Sequence, residues 1–210
     1  MLFPLQYLID TYALQIDGIV HIGASFGQEI SDYDKAGIKN IIWIEADPEV
    51  YTSLCENLKP YPYSRCFQAC VSNQDDQPIR FKVTSNQGQS SSILNLKEHA
   101  IFYPKIVVVR ELQLQSVTVD TLLQQKGIEV GGQYNFLNMD IQGAELLAMK
   151  GMKNNLHKFR YVYLEVNQRE LYEGCALEEE VDNYLKEYRF RPVESKMRPA
   201  GWGDKFYIRD

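Results

Sequence analysis

Asp140 in NMDIQGAE, Glu165 in YLEVN, and His99 are the side chains in this sequence best suited to move a proton. A carboxylate or neutral imidazole within hydrogen-bond reach of an alcohol accepts its proton as the oxygen attacks an electrophile, so these residues read as general-base candidates. Asp140 is the first choice, with Glu165 and His99 as further catalytic candidates. Two carboxylates close together raise one another's pKa and leave one of them as a usable base. The oxygens of Asp140, Glu165 and Asn167 would also suit a hard divalent cation, a use that is possible but not favoured.

A second group of residues reads as a nucleotide-binding loop. His21-Ile22-Gly23-Ala24-Ser25-Phe26-Gly27 joins an apolar run to a helix-like one, and its glycines permit a tight turn with close backbone approach. The G-A-S-F-G spacing lacks the third glycine of a dinucleotide fingerprint, so a pyrophosphate is poorly served. Glu45 lies 22 positions after Gly23 at the end of the next apolar run, which suits a carboxylate accepting both hydroxyls of an adenosine ribose, in NAD and in S-adenosylmethionine alike. Between these groups, Asn86 to Ser92 is dense in neutral hydrogen-bonding side chains that match hydroxyls, and Gln89, Ser91 and Ser92 are candidate substrate contacts. Glu145 and Asn167 are two more, although Glu145 in a first helical turn also has a purely structural use. Trp202, between two glycines, is read as turn packing, with stacking on a sugar face as its other use.

The elements that position these residues alternate. β-branched apolar runs at 16–23, 40–46, 64–72, 134–141 and 161–166 are separated by helical stretches at 27–36, 48–59, 117–127 and 144–150, with Asp47 as N-cap before Pro48 and Gly151 closing the last. A helix at 177–188 precedes FRPVESK and DKFYIRD, which can form a final antiparallel pair. This order predicts an open, mostly parallel α/β sheet with helices on both faces and a ligand beyond the carboxyl ends of its strands. Residues 73–114 break the alternation and read as a lid-like insertion containing one strand, IRFKVTS. No repeat or linker appears, so residues 1–210 are expected to form one domain.

VHIGASFGQEI, IEADPEVYTSLCENL, VDTLL, FLNMDIQGAELLAMKGM and YLEVN resemble, in order and separation, the FkbM-like family of class I S-adenosylmethionine-dependent methyltransferases. The resemblance implies a Rossmann-like sheet of seven strands with the last antiparallel, S-adenosylmethionine as cofactor, and methyl transfer to the hydroxyl of a sugar, glycan or glycosylated small molecule. It places the cofactor against His21, Gly23, Ala24, Ser25, Gly27 and Gln28 on the first loop. Glu45 and Ala46, Cys70 and Val71, and Asp140 and Ile141 would meet it from the next strand ends. One departure is His21, where the family usually carries aspartate; a neutral ring nitrogen there can still accept a hydrogen bond. The departure keeps a catalytically weak S-adenosylmethionine-binding module as an alternative, and a nicotinamide-dependent oxidoreductase on the same fold is a more remote one.

Composition narrows the partners. The 210 residues are 45% hydrophobic, and 28 acidic against 22 basic side chains leave a formal net charge of -6, which disfavours nucleic acid and anionic membranes. No apolar run suits a membrane span or signal peptide, and the four dispersed cysteines suit reduced thiols, so a cytoplasmic protein is expected. The three histidines lack zinc-site spacing. The expected partner is a small-molecule or glycan acceptor, with neighbouring glycosyltransferase domains or proteins as possible company.

Overall fold

A computed structural model describes residues 1–210. Seven strands form the main sheet in the order β3-β2-β1-β7-β8-β10-β9, with β1 at Ile19–Ile22, β2 at Ile41–Glu45, β3 at Ser64–Gln68, β7 at Phe136–Met139, β8 at Tyr161–Asn167, β9 at Phe190–Met197 and β10 at Trp202–Arg209. β1, β2, β3, β7 and β8 run parallel, and β10 lies antiparallel between β8 and β9. This is the Rossmann-like class I methyltransferase sheet implied by the motifs, with its last strand reversed.

β1, β2 and β7 are buried along their whole length because both faces are covered. Val20, Ile22, Ile42, Ile44, Leu137 and Met139 pack under α5 (Val119–Gln125), α6 (Glu145–Lys150) and α7 (Glu178–Glu187). Their alternate neighbours Ile19, Ile41, Trp43 and Phe136 pack under α1 (Leu5–Tyr12), α2 (Ile30–Lys35) and α3 (Pro48–Leu58). Asp47 caps α3 by accepting from the Glu49 N–H at 2.9 Å, with Pro48 at the first helical position as the sequence indicates.

Two expectations need correction. The apolar run at 64–72 is not one strand: β3 ends at Gln68, and β4 (Cys70–Val71) joins a second sheet of order β4-β6-β5. The backbone turns at Ala69, whose N–H donates to the Glu45 carbonyl at 2.9 Å. The 73–114 insertion is likewise more ordered than a polar loop. Its β5 (Pro78–Thr84) pairs antiparallel with β6 (Val108–Val117), which the alternation scheme missed, and α4 (His99–Phe102) lies between them. Leu112 and Leu114 of β6 pack toward Cys70, Phe81 and Val83 while the intervening polar residues stay outside, so the strand is half-buried and its apolar signal is weak.

Candidate active site

A cavity of about 410 Å³ opens at the carboxyl ends of β1, β2, β7 and β8. The strand order places it where connections leave β1 in opposite directions, the position at which open α/β sheets bind ligands. Its far wall comes from the second sheet and α4, including Phe81, Ser90, Ile93 and His99.

The first loop is set by Gly23. At φ +80° it turns the chain off β1, and a Cβ there would stand 1.8 Å from the Asp140 carbonyl oxygen. The end of β1 therefore lies directly against the end of β7. Glu45, at the tip of β2, receives the N–H groups of Ser25, Ala46 and Asp47 at 2.8, 2.8 and 2.9 Å. Burial raises its pKa, and these three donors oppose the rise by stabilising the charged form. His21 stacks on Trp43 with ring centroids 4.9 Å apart, and its Nδ1 lies 3.1 Å from the Tyr33 hydroxyl. Burial lowers its pKa to about 4, so the ring is neutral at physiological pH.

Across β1 the chemistry changes. The Gln142 amide nitrogen donates to Asp140 Oδ1 at 2.7 Å and to Glu165 Oε2 at 3.1 Å, while its carbonyl oxygen accepts from the Tyr172 hydroxyl. Gln142 does this from a left-handed backbone conformation, φ +57°, that a non-glycine residue rarely adopts. Asp140 lies on the cavity floor, open to solvent through the cavity yet surrounded by protein, and that enclosure pushes its pKa up to about 6. Burial, followed by the charges of Asp140, Glu145 and Asp204, pushes Glu165 well above the usual carboxylate range. Asp204 faces Glu165 in the β8–β10 register and accepts from the Tyr163 hydroxyl.

Of the residues singled out in the sequence, His21, Gly23, Ser25, Gln28, Glu45, Ala46, Cys70, Val71, Asp140, Ile141, Glu165, Gln89, Ser91 and His99 line this one cavity. Five do not. Ala24 is buried in the α1–α3 core, and Gly27 abuts Leu54 of α3. Ser92 is spent locally, donating to the Gln142 carbonyl at 2.8 Å and accepting from the Leu94 N–H at 3.0 Å. Glu145 Oε1 accepts from the N–H groups of Ile141 and Gly143 at 2.9 and 3.2 Å, so it braces the β7–α6 turn from behind; burial pushes its pKa to about 7. Asn167 is buried where β8 meets β10. The oxygen trio of Asp140, Glu165 and Asn167 is thus not assembled, and no three His, Cys, Asp or Glu side chains are grouped to hold a metal ion. Gln142, Tyr172 and Asp204 were missed. The position of Gln142 inside DIQGAE, between an acid and a turn glycine, was the one available signal.

The methyltransferase FkbM domain matches residues 21–192, from the first loop to β9. The chain belongs to the FkbM family of class I S-adenosylmethionine-dependent methyltransferases. This membership sets aside the oxidoreductase alternative. A curated relative, the 2-O-methyltransferase NoeI of Sinorhizobium fredii, is 27% identical over 163 residues, covering 74% of this chain. The aligned part is 65% of that relative's length. Among solved structures, the magnesium protoporphyrin IX methyltransferase of Synechocystis with bound S-adenosylmethionine superposes with TM-score 0.50 at 10% identity, covering 98% of this chain and 76% of its own. The M1A22 tRNA methyltransferase TrmK of B. subtilis gives TM-score 0.51 at 9% identity, covering 99% and 65%. At these identities the likeness is one of fold. No helix of the chain is long and apolar enough to cross a membrane.

Proposed function

We propose that this methyltransferase transfers a methyl group from S-adenosylmethionine to a hydroxyl oxygen of a sugar, in a glycan or a glycosylated small molecule, with Asp140 as general base. The cofactor side of the cavity fits that molecule. Glu45 keeps a lone pair on Oε2 for a ribose hydroxyl while three backbone N–H groups hold it in place, and Ala46, Cys70, Val71 and Ile141 offer an apolar wall for a flat base. Neutral His21 and open Asp140 flank the first loop, where a cationic amino acid end would be received. When bound, the cofactor supplies an electrophilic methyl carbon, and the protein's contribution is alignment and proton removal.

The observation that carries the reading is the contrast within the acid pair. Asp140 is exposed to the cavity with its pKa near 6, and Glu165 beside it is buried and pushed well above the usual carboxylate range. At neutral pH, Asp140 is therefore the group open to the cavity that can accept an alcohol proton, while burial and the neighbouring acids disfavour ionisation of Glu165 beside it. Gln142 fixes both in position. The name of the distant relative, a 2-O-methyltransferase, supports oxygen as the acceptor atom. The test is incubation with methyl-labelled S-adenosylmethionine and a panel of neutral glycosides, followed by hydrolysis and identification of the labelled sugar. An O-methyl ether is expected. Cofactor binding without transfer to any hydroxyl would instead favour a binding module, and label on nitrogen or carbon would overturn the assignment.

A further inference from the structure

The cavity extends beyond the cofactor side into a lobe over β7, β8 and β10, which the sequence motifs do not account for. Its wall is aromatic. Tyr103, just after α4, Tyr172, beyond β8, and Trp202, at the start of β10, all line it. The Trp202 indole N–H donates to the Tyr103 hydroxyl at 2.8 Å, which locks the two rings together. His99 lies between the tyrosines, its ring centroid 5.0 Å from Tyr103 and 5.5 Å from Tyr172. Its Nε2 is 3.1 Å from the Ser90 hydroxyl, but its Nδ1 is buried without a partner although the residue is only 4% exposed. A buried polar atom left unpaired is costly, which sets this wall apart from ordinary core packing.

The charge of the lobe is equally informative. Glu29, Glu45, Asp47, Asp140, Glu165 and Asp204 line the cavity, and no lysine or arginine does. Asp47 is answered from outside by Arg110 at 3.3 Å, and Glu29 by the N-terminal ammonium at 3.6 Å. Asp140, Glu165 and Asp204 have only neutral donors: Gln142 for the first two, and the Tyr163 hydroxyl with the Leu2 N–H for the third. A phosphate or carboxylate entering the lobe would lose its hydration beside three acids and meet no lysine or arginine, and the one ammonium at the cavity, that of Met1, is already paired with Glu29.

We propose that this lobe is an acceptor subsite that takes a polyhydroxylated ring bearing no anionic group, with the Tyr103–Trp202 pair as its stacking platform. The proposal rests on the sugar O-methylation reading above and adds a charge class to it. The apolar C–H face of a sugar packs on the flat rings, and its hydroxyls reach the His99 edge of the wall. Sugar phosphates, uronates and nucleic acids are excluded by the same acids that accommodate a cationic cofactor.

The test uses tryptophan fluorescence of the protein loaded with S-adenosylhomocysteine. Trp43, the other tryptophan, is fully buried against His21, so a ligand in the lobe reports through Trp202. Methyl glucoside and methyl galactoside are titrated beside their uronate and 6-phosphate counterparts. A saturable change with at least one neutral glycoside is expected. Its anionic counterparts should bind at least tenfold more weakly, the signal should disappear in Trp202→Phe, and Tyr103→Phe should weaken binding. Equal affinity for neutral and anionic partners, or no response to any glycoside, would overturn the subsite. Labelled methyl transfer to the same compounds separates the two claims. Selective binding without transfer defeats the O-methylation reading and leaves the subsite standing, whereas equal transfer to neutral and anionic compounds defeats the subsite alone.

Discussion

Glu45 and Glu165 occupy equivalent places, each at the carboxyl end of a parallel strand, and are almost equally buried, at 8% and 6% exposure. Their surroundings divide them. Glu45 receives three backbone N–H groups and stays suited to carry a charge, whereas Glu165 receives one side-chain amide and faces three other acids. One side of the cleft is thus a fixed acceptor for hydroxyls, and the other an acid cluster whose protonation is free to change. Burial alone therefore does not set a carboxylate's role; the number of donors aimed at it does.

Substitutions on the two sides should separate binding from turnover. The largest effect is expected from Asp140→Asn, which should lower kcat by roughly 10²–10⁴-fold, the usual worth of a general base, with a much smaller loss of S-adenosylhomocysteine affinity by calorimetry. On the other side, Glu45→Ala should weaken that affinity at least tenfold, because it removes the ribose acceptor and strands three backbone N–H groups. Unchanged affinity would erase the distinction between the two sides.

Gln142→Ala should have a smaller effect of a different kind. Its amide stabilises the charged forms of Asp140 and Glu165, so its loss should raise both pKa values and move the acidic limb of the kcat–pH profile to higher pH. A merely structural role would lower kcat without moving the limb. The smallest effect should come from Glu145→Gln, read by thermal melting across pH. The folded-state pKa of Glu145, about 7, lies above its unfolded value, so the fold binds its proton more tightly. That contribution to stability is present at low pH and is lost as pH rises from the unfolded pKa through 7. Glutamine keeps an oxygen for the Ile141 and Gly143 N–H groups without a charge to bury, so the variant should melt a few degrees higher than wild type near pH 7.5 and show no gain at pH 4. Equal melting temperatures at both pH values would show that Glu145 is adequately compensated when charged.

The main sheet was legible because full burial on both faces writes unbroken apolar runs, as in NIIWIEA and YNFLNMDI, and because Asp47-Pro48 marks a helix start. β6 was not, since a strand covered on one side mixes Leu112 and Leu114 with polar neighbours and leaves no continuous run. The strand-end rule found the candidate site residues that are single acids or glycines in loops. It also nominated Asn167, which is buried away from the cavity, and two readings made on other grounds, Ser92 from its hydroxyl-rich segment and Glu145 from its helical turn, fall on side chains that serve nearby backbone. Tyr172 and Asp204 were invisible as site residues for another reason: their place depends on the segment after β8 and on β10 converging with β7 from distant parts of the chain.

The assignment of Asp140 is tested most directly by kcat against pH for wild type and Asp140→Asn with saturating S-adenosylmethionine and a neutral glycoside acceptor. The structure predicts a wild-type rate that rises with pH as Asp140 ionises, and a variant whose small residual rate lacks that ascending limb. The same limb in both proteins would contradict it.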